Sequence, residues 1–292
     1  VRKILAVIIL VLGFMVSGCV SEPELKSIQL KWGNVDSVQS ELLSEITLNN
    51  PNPFSIPLSD VRVNIFMNDI HMGEGNALGD TTISSGEDKL TIVSYIENRR
   101  LKDWWVTHIE DGEKTEIEVK GDLYFNVLGF ELGIPTGYSM EIQTNILEQM
   151  AGSEFNVDLL GFDAIEMENT IFKWNVEEGD TEIVVSMDVK NNMPYSIPIG
   201  FINYRLKMNG IDFGSGKTEG MTIPAMGKKN VEVIIDIDDS KISEWWVTHI
   251  KNGEKTAASI DLQIGVEFAG EEKVIDITPQ EFEFNTNIAT AE

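Results

Sequence analysis

The hexapeptide Trp-Trp-Val-Thr-His-Ile stands twice in the chain, at 104–109 and at 245–250. Each copy runs into a polar turn, Glu110-Asp111-Gly112-Glu113-Lys114-Thr115 in the first and Lys251-Asn252-Gly253-Glu254-Lys255-Thr256 in the second. A duplication holds one offset along its length, and this one does. Trp105 and Trp246 are 141 positions apart (246 − 105), as are Ser55-Ile56-Pro57 and Ser196-Ile197-Pro198, Met67-Asn68 and Met208-Asn209, and the Gly-x-Gly pairs Gly73/Gly75 and Gly214/Gly216. Lys31-Trp32 against Lys173-Trp174, and Thr144-Asn145-Ile146 against Thr286-Asn287-Ile288, shift to 142 (174 − 32). Solenoid repeats run at roughly 20 to 50 residues, so a period this long means two whole domains.

Ahead of the repeats, Arg2 and Lys3 precede an apolar run over 4–16 and then Ser17-Gly18-Cys19. A basic start, a short apolar stretch and small residues describe a secretory signal; a spanning helix needs about 20 apolar residues. Val16-Ser17-Gly18-Cys19 is similar to a lipobox, where prokaryotic lipoprotein precursors are cleaved and the new N-terminal cysteine is lipidated. Cys19 is therefore the lipidation candidate, and polar Ser21-Glu22-Pro23-Glu24 suits a tether. As the sole cysteine it allows no intrachain disulfide. The expected location is the extracytoplasmic face of the cell membrane, with the membrane as partner through the lipid.

The expected layout is a signal segment at 1–19, a first domain at 26–147, a linker at 148–164 and a second domain at 165–288. Acidic residues outnumber basic ones, 48 to 22, and are scattered along the chain, for a formal charge of −26. Such a surface repels nucleic-acid phosphates and favours solubility, so no nucleic-acid partner is expected. Leu42, Ile46 and Leu48 alternate with polar residues, the pattern of a half-buried strand, and Ile183, Val185, Met187 and Val189 repeat it. Both then reach a proline-rich bend, Asn50-Pro51-Asn52-Pro53-Phe54-Ser55-Ile56-Pro57 and Asn191-Asn192-Met193-Pro194-Tyr195-Ser196-Ile197-Pro198. Proline has no N–H to donate, which puts these bends at strand ends or sheet edges. Another strand follows, with Val61, Val63, Ile65 and Met67 echoed by Ile202, Tyr204, Leu206 and Met208; Asn68-Asp69 and Asn209-Gly210 then supply hairpin turns.

At the hexapeptide the period changes. Leu101, Trp104, Trp105, His108 and Ile109 share one helical face, as do Ile242, Trp245, Trp246, His249 and Ile250. Asp239 or Ser240 is placed to cap the second helix, and Gly112 and Gly253 to close the pair. One helix among roughly seven strands per domain makes the fold class mainly β, two tandem antiparallel β-sandwiches.

Chemistry is sparsely signalled. His108 and His249 are repeats of one feature, expected to be packed or hydrogen-bonded, and no second His or Cys stands at metal-ligand spacing. His71 has no equivalent. No nucleophile motif is present, Gly73-x-Gly75 reads as a turn, and the expectation is no enzyme, no cofactor and no metal. The pairs Trp104/Trp105 and Trp245/Trp246 are expected to place one ring in the core and one at its border; the alternative is an exposed aromatic surface.

The bend motif over 50–57, its weaker copy over 191–198 and the single helix before the closing strands together resemble the group 2 late embryogenesis abundant proteins, the WHy (water stress and hypersensitive response) domain family. Two copies behind a lipobox look like an archaeal version. The resemblance implies immunoglobulin- or fibronectin-III-like sandwiches with one helix, a role in tolerance of desiccation or related stress, and no catalytic residues; the expected function is a non-enzymatic, membrane-tethered protein of stress protection or of envelope structure. The residues of interest are Asn50, Pro51, Asn52, Pro53, Phe54, Pro57, Pro194, Tyr195, Pro198 and the four paired tryptophans. The rival function is an extracellular binding module or adhesin that recognises a glycan or protein partner through the bends or indoles.

Overall fold

The computed structural model describes residues 21–77, 82–127, 129–151, 156–159, 162–268 and 271–289; Cys19 and the whole leader, 1–19, lie outside them. Two compact units are present. Among the described residues, unit 1 holds 21–104, 114–143 and 286–289, and unit 2 holds 105–113 and 144–285. The division falls inside the first hexapeptide, so residues 105–113, which belong to the first repeat by sequence, cluster with unit 2.

The strands of unit 1 are β1 (Glu24–Val35), β2 (Gln39–Asn50), β3 (Ile56–Met67), β4 (Ile70–Ala77), β5 (Thr82–Ile83), β6 (Gly86–Glu97), β7 (Lys114–Val127) and β8 (Phe130–Gln143). Every pairing is antiparallel, in the order β1-β2-β6-β4-β3-β7-β8, with β5 added to β3. Alternation dictates this: along β2 every second residue from Ser40 to Asn50 is buried. Ile46 and Leu48 of β2 and Leu90 and Ile92 of β6 pack with Ile56, Leu58, Val61 and Val63 of β3 and with Leu123 and Phe125 of β7. Burying each such side chain contributes about 1.5–3 kcal/mol. Asn68 and Asp69 turn the β3–β4 hairpin at φ 47° and 62°, as their tolerance of the left-handed region predicts.

Gly73 and Gly75 correct the sequence reading, because they lie within β4 and not in a turn. A side chain on Gly73 would run into the Tyr95 carbonyl of β6, so glycine is what lets the two strands approach. The resulting ladder, from Gly73 opposite Ile96 to Ala77 opposite Ile92, joins the two halves of unit 1 into one hydrogen-bonded sheet.

Unit 2 contains α2 (Ile146–Ala151), β9 (Asn156–Leu159), β10 (Phe162–Glu177), β11 (Asp180–Asn191), β12 (Ile197–Met208), β13 (Ile211–Lys217), β14 (Met221–Ile223), β15 (Lys228–Asp236), α3 (Ile242–Lys251), β16 (Lys255–Phe268) and β17 (Glu271–Asn285). The stretch 148–164, read as a linker, carries most of α2 and all of β9, and β9 pairs with β10, Val157 opposite Ile165. Here two sheets are separate, β15-β11-β10-β9 and β13-β12-β16-β17, with β14 on β12. The second hexapeptide forms α3, and the first forms α1 (Leu101–Glu110); Gly112 and Gly253 close these helices at φ 72°.

The expected cap of α3 is revised. A 3-10 turn, Asp239–Lys241, precedes the helix, and the carboxylate of Asp238 accepts from the Ser240 N–H. Asp239 points inward, where its oxygens accept from the Thr181 N–H (2.9 Å) and hydroxyl (2.6 Å). Asp238 thus caps the 3-10 turn while Asp239 is committed to the start of β11, and α3 itself follows from Lys241 without a side-chain cap.

Candidate functional site

The repeated helices put their aromatic residues inside. Trp104, Trp105, Trp245 and Trp246 are all at most 2% exposed, so neither ring of either pair stands at a border. The reason is chemical. An indole seeks a border when its N–H needs water, and for Trp104, Trp105 and Trp245 a threonine supplies the acceptor internally. Trp104 Nε1 donates to Thr115 Oγ1 at 2.8 Å within unit 1, and Trp245 Nε1 to Thr256 Oγ1 at 2.8 Å within unit 2. Trp105 Nε1 donates to Thr181 Oγ1 at 3.1 Å, also in unit 2. Around these bonds the rings of unit 2 meet edge to face: Trp105 with Trp174 (5.9 Å) and Trp245 (5.6 Å), and Trp245 with Phe213 (6.3 Å).

One residue that sequence reasoning passed over ties this cluster together. Glu113 is 7% exposed and sits at φ 63°, a left-handed conformation costly for a non-glycine residue. Its Oε1 accepts from Trp174 Nε1 (2.8 Å) and the Leu147 N–H (3.1 Å); Oε2 accepts from the Ile146 N–H (2.6 Å) and the Thr144 hydroxyl (3.0 Å). A buried carboxylate is tolerable only with its lone pairs filled, and this one has four donors. The signal lay in the tetrapeptide Gly-Glu-Lys-Thr, identical at 112–115 and 253–256. Glu254 is likewise left-handed, at φ 60°, and 3% exposed.

The proline-rich bends connect β2 to β3 and β11 to β12, at strand ends as expected. Their pivot is the first asparagine. Asn50 Nδ2 donates to the Phe54 carbonyl (2.8 Å) and the Ile83 carbonyl (3.2 Å), while its Oδ1 accepts from the Asn52 N–H (3.0 Å). In the weaker copy Asn191 Nδ2 donates to the Tyr195 carbonyl at 2.8 Å and Oδ1 accepts from the Met193 N–H at 2.8 Å. The two bends therefore share a conformation although Pro51-Asn52 is replaced by Asn192-Met193. Asn52 also grips the chain entering unit 1: the Ser21 N–H donates to its Oδ1 (2.8 Å) and its Nδ2 donates to the Ser21 carbonyl (2.6 Å). Pro51, Pro53, Pro57, Pro194 and Tyr195 are exposed and Pro198 half-buried, whereas Phe54 packs against the unit 1 core.

The model of a family described as late embryogenesis abundant protein matches residues 45–136 and 186–278, one match in each repeat. The chain belongs to the late embryogenesis abundant family. It is similar to an uncharacterized protein of Methanocaldococcus jannaschii, 27% identical over 154 residues that span 50% of this chain and 86% of that one. A crystal structure of an Archaeoglobus fulgidus protein is 28% identical and covers 41% of this chain and 97% of that one, with a TM-score of 0.38. The solution structure of an Arabidopsis thaliana protein is 19% identical and covers 45% and 89%, with a TM-score of 0.35.

In this late embryogenesis abundant protein the histidines of the hexapeptides are hydrogen-bonded core residues, as expected. His108 Nε2 lies 2.9 Å from Thr144 Oγ1, and His249 Nδ1 lies 2.8 Å from Thr256 Oγ1. His71, in β4, is exposed and 3.1 Å from Asn64 Oδ1. Among the described residues no group of three or more His, Cys, Asp or Glu could hold a metal ion, and no helix is long and apolar enough to cross a membrane.

Burial pushes the His249 imidazole down to about 4, against an opposing pull from Glu254. A base whose folded pKa is depressed is protonated first in the unfolded chain, so stability is intact above about pH 6.5 and declines as the pH falls toward 4. The expected loss over that window is about 3 kcal/mol, at about 1.4 kcal/mol per pH unit. Urea unfolding at stepped pH checks it: a His249→Gln variant should lack this slope, and an equal slope in both proteins would refute the assignment.

Proposed function

We propose that this late embryogenesis abundant protein is a non-enzymatic, lipid-anchored protector of neighbouring macromolecules during water loss, acting from the extracytoplasmic face of the membrane. The observation that carries the reading is the partition of side chains between interior and exterior. On β17 Phe282 and Phe284 are buried while Glu281 and Glu283 face solvent, and the four paired indoles, the best candidates for a glycan-binding face, are all internal. What remains outside is a surface dominated by carboxylates, in keeping with the net charge of −26. Such a surface holds water, resists aggregation and repels anionic polymers. Anchoring rests on the lipobox at Cys19.

The test has two arms. Full-length protein should fractionate with membranes and Cys19→Ser protein should not. Purified protein should preserve a larger fraction of a drying-labile dehydrogenase than an equal mass of lysozyme, and a deletion strain should survive drying less well. No protection in the tube together with unchanged survival would sink the protective role; membrane retention of the Cys19→Ser protein would sink the anchor.

A further inference from the structure

The two repeats differ at one seam. In unit 1 the β4–β6 ladder joins the halves of the sandwich. Their equivalents in unit 2, β13 and β15, are the edges of separate sheets and share no ladder. At one end the strands still touch: the Asp238 N–H donates to the Phe213 carbonyl (2.6 Å), and Gly214 packs against the Asp236 carbonyl with no room for a side chain. Toward Lys217 and Lys229 they part around an open groove of about 640 Å³.

A single residue explains the opening. Position 63 of the first repeat is Val63 and its equivalent, 141 residues on, is Tyr204. The phenol passes over Gly216, where any side chain would collide with it, and its hydroxyl donates to the Ile234 carbonyl. In unit 1 the counterparts of Gly216 and Ile234 are Gly75 and Val93, and both lie in the continuous ladder, Gly75 opposite Ser94 and Val93 opposite Asn76. Tyr204 thus engages a carbonyl of the seam and wedges the strands apart.

We propose that this groove is a strand-accepting site that binds an extended, cationic stretch of polypeptide, which adds to β15 along residues 229–233. An edge strand offers a row of main-chain donors and acceptors, and β-augmentation draws its affinity from them and its selectivity from the lining. Two such edges flank this groove. Its charged lining is four carboxylates, Glu182, Glu219, Glu232 and Asp236, against Lys217 and Lys229, which selects a basic segment. A volume of this size lies in the range of built ligand sites, about 300–1,000 Å³. The chain itself, at −26, is a poor source of such a strand, which points to a different polypeptide as the occupant. The inference stands apart from the desiccation reading and survives its failure.

The probe is a fluorescein-labelled peptide of alternating lysine and valine, followed by anisotropy with the full-length protein. Saturable binding is expected, about tenfold weaker, or 1.4 kcal/mol, for the same peptide N-methylated on alternate amides, which keeps the charge and removes ladder donors. Peptide binding should slow amide hydrogen exchange at 229–233. Tyr204→Val should let β13 close on β15 and abolish binding. Should that variant fail to fold, the exposed pair Glu219→Lys and Glu232→Lys should weaken binding at least tenfold with the fold retained. Absence of binding, equal affinity for the methylated peptide, unchanged exchange along β15, or full binding by the charge-reversed protein would each overturn the proposal.

Discussion

A fragment confined to residues 144–285 remains without a fixed core, and a synthetic peptide of residues 101–113 added in trans restores it. Unit 2 draws Trp105, His108 and Glu113 from the first repeat. Without them Trp174 and Thr181 lose hydrogen-bond partners at 2.8 and 3.1 Å, and the amides of Ile146 and Leu147 lose the carboxylate that caps α2. Removing a buried tryptophan costs about 3–5 kcal/mol, and each stranded donor about 1–3 kcal/mol more. Whole domains are stable by only about 5–15 kcal/mol. Near-UV circular dichroism and urea unfolding check the prediction: a weak spectrum and a broad transition for the fragment alone, a sharp transition with the peptide. A cooperative transition without the peptide would show that residues 105–113 are dispensable to unit 2.

Trp245→Ala should destabilise unit 2 by about 3–5 kcal/mol, the range for deleting a buried indole. Trp245 is 1% exposed, its N–H is bonded to Thr256, and its ring lies 5.0 Å from His249 and 6.2 Å from Phe284. Trp245→Phe keeps the ring contacts and loses the bond to Thr256, so its cost should be nearer 1–2 kcal/mol. Paired urea titrations measure both. Equal losses in the two variants would mean that the hydrogen bond, and not the packed ring, dominates the site.

Much of the fold was written in local periodicity. The strands alternate, the hexapeptides step at helical spacing, and Asn68 and Asn209 mark hairpins; each depends on neighbours close in sequence. What escaped was decided by contacts distant in sequence. Nothing local tells that the chain changes units between Trp104 and Trp105, because both repeats carry the same helix. Glu113 hid in a turn, since a left-handed glutamate reads as an ordinary polar residue until its four donors are seen. The glycines of β4 looked like a turn because their purpose is the approach of another strand, β6. Tyr204 is legible only by comparing the repeats: one position carries a branched aliphatic in one and a phenol in the other. The bends were legible as a motif, but their prolines are the exposed part and the asparagine at their head is the part that holds.

The grip of Asn52 on Ser21 bears on how the protein would stand at a membrane. An acyl chain on Cys19 would be separated from that clamp by one residue, Val20, two residue steps and a leash of at most about 7 Å. Lipid-anchored proteins with long unstructured stalks can sweep a wide volume above the bilayer. Under the anchoring proposed above, unit 1 would be held near the headgroups with little slack to roam, its Asn50 bend on the leashed side.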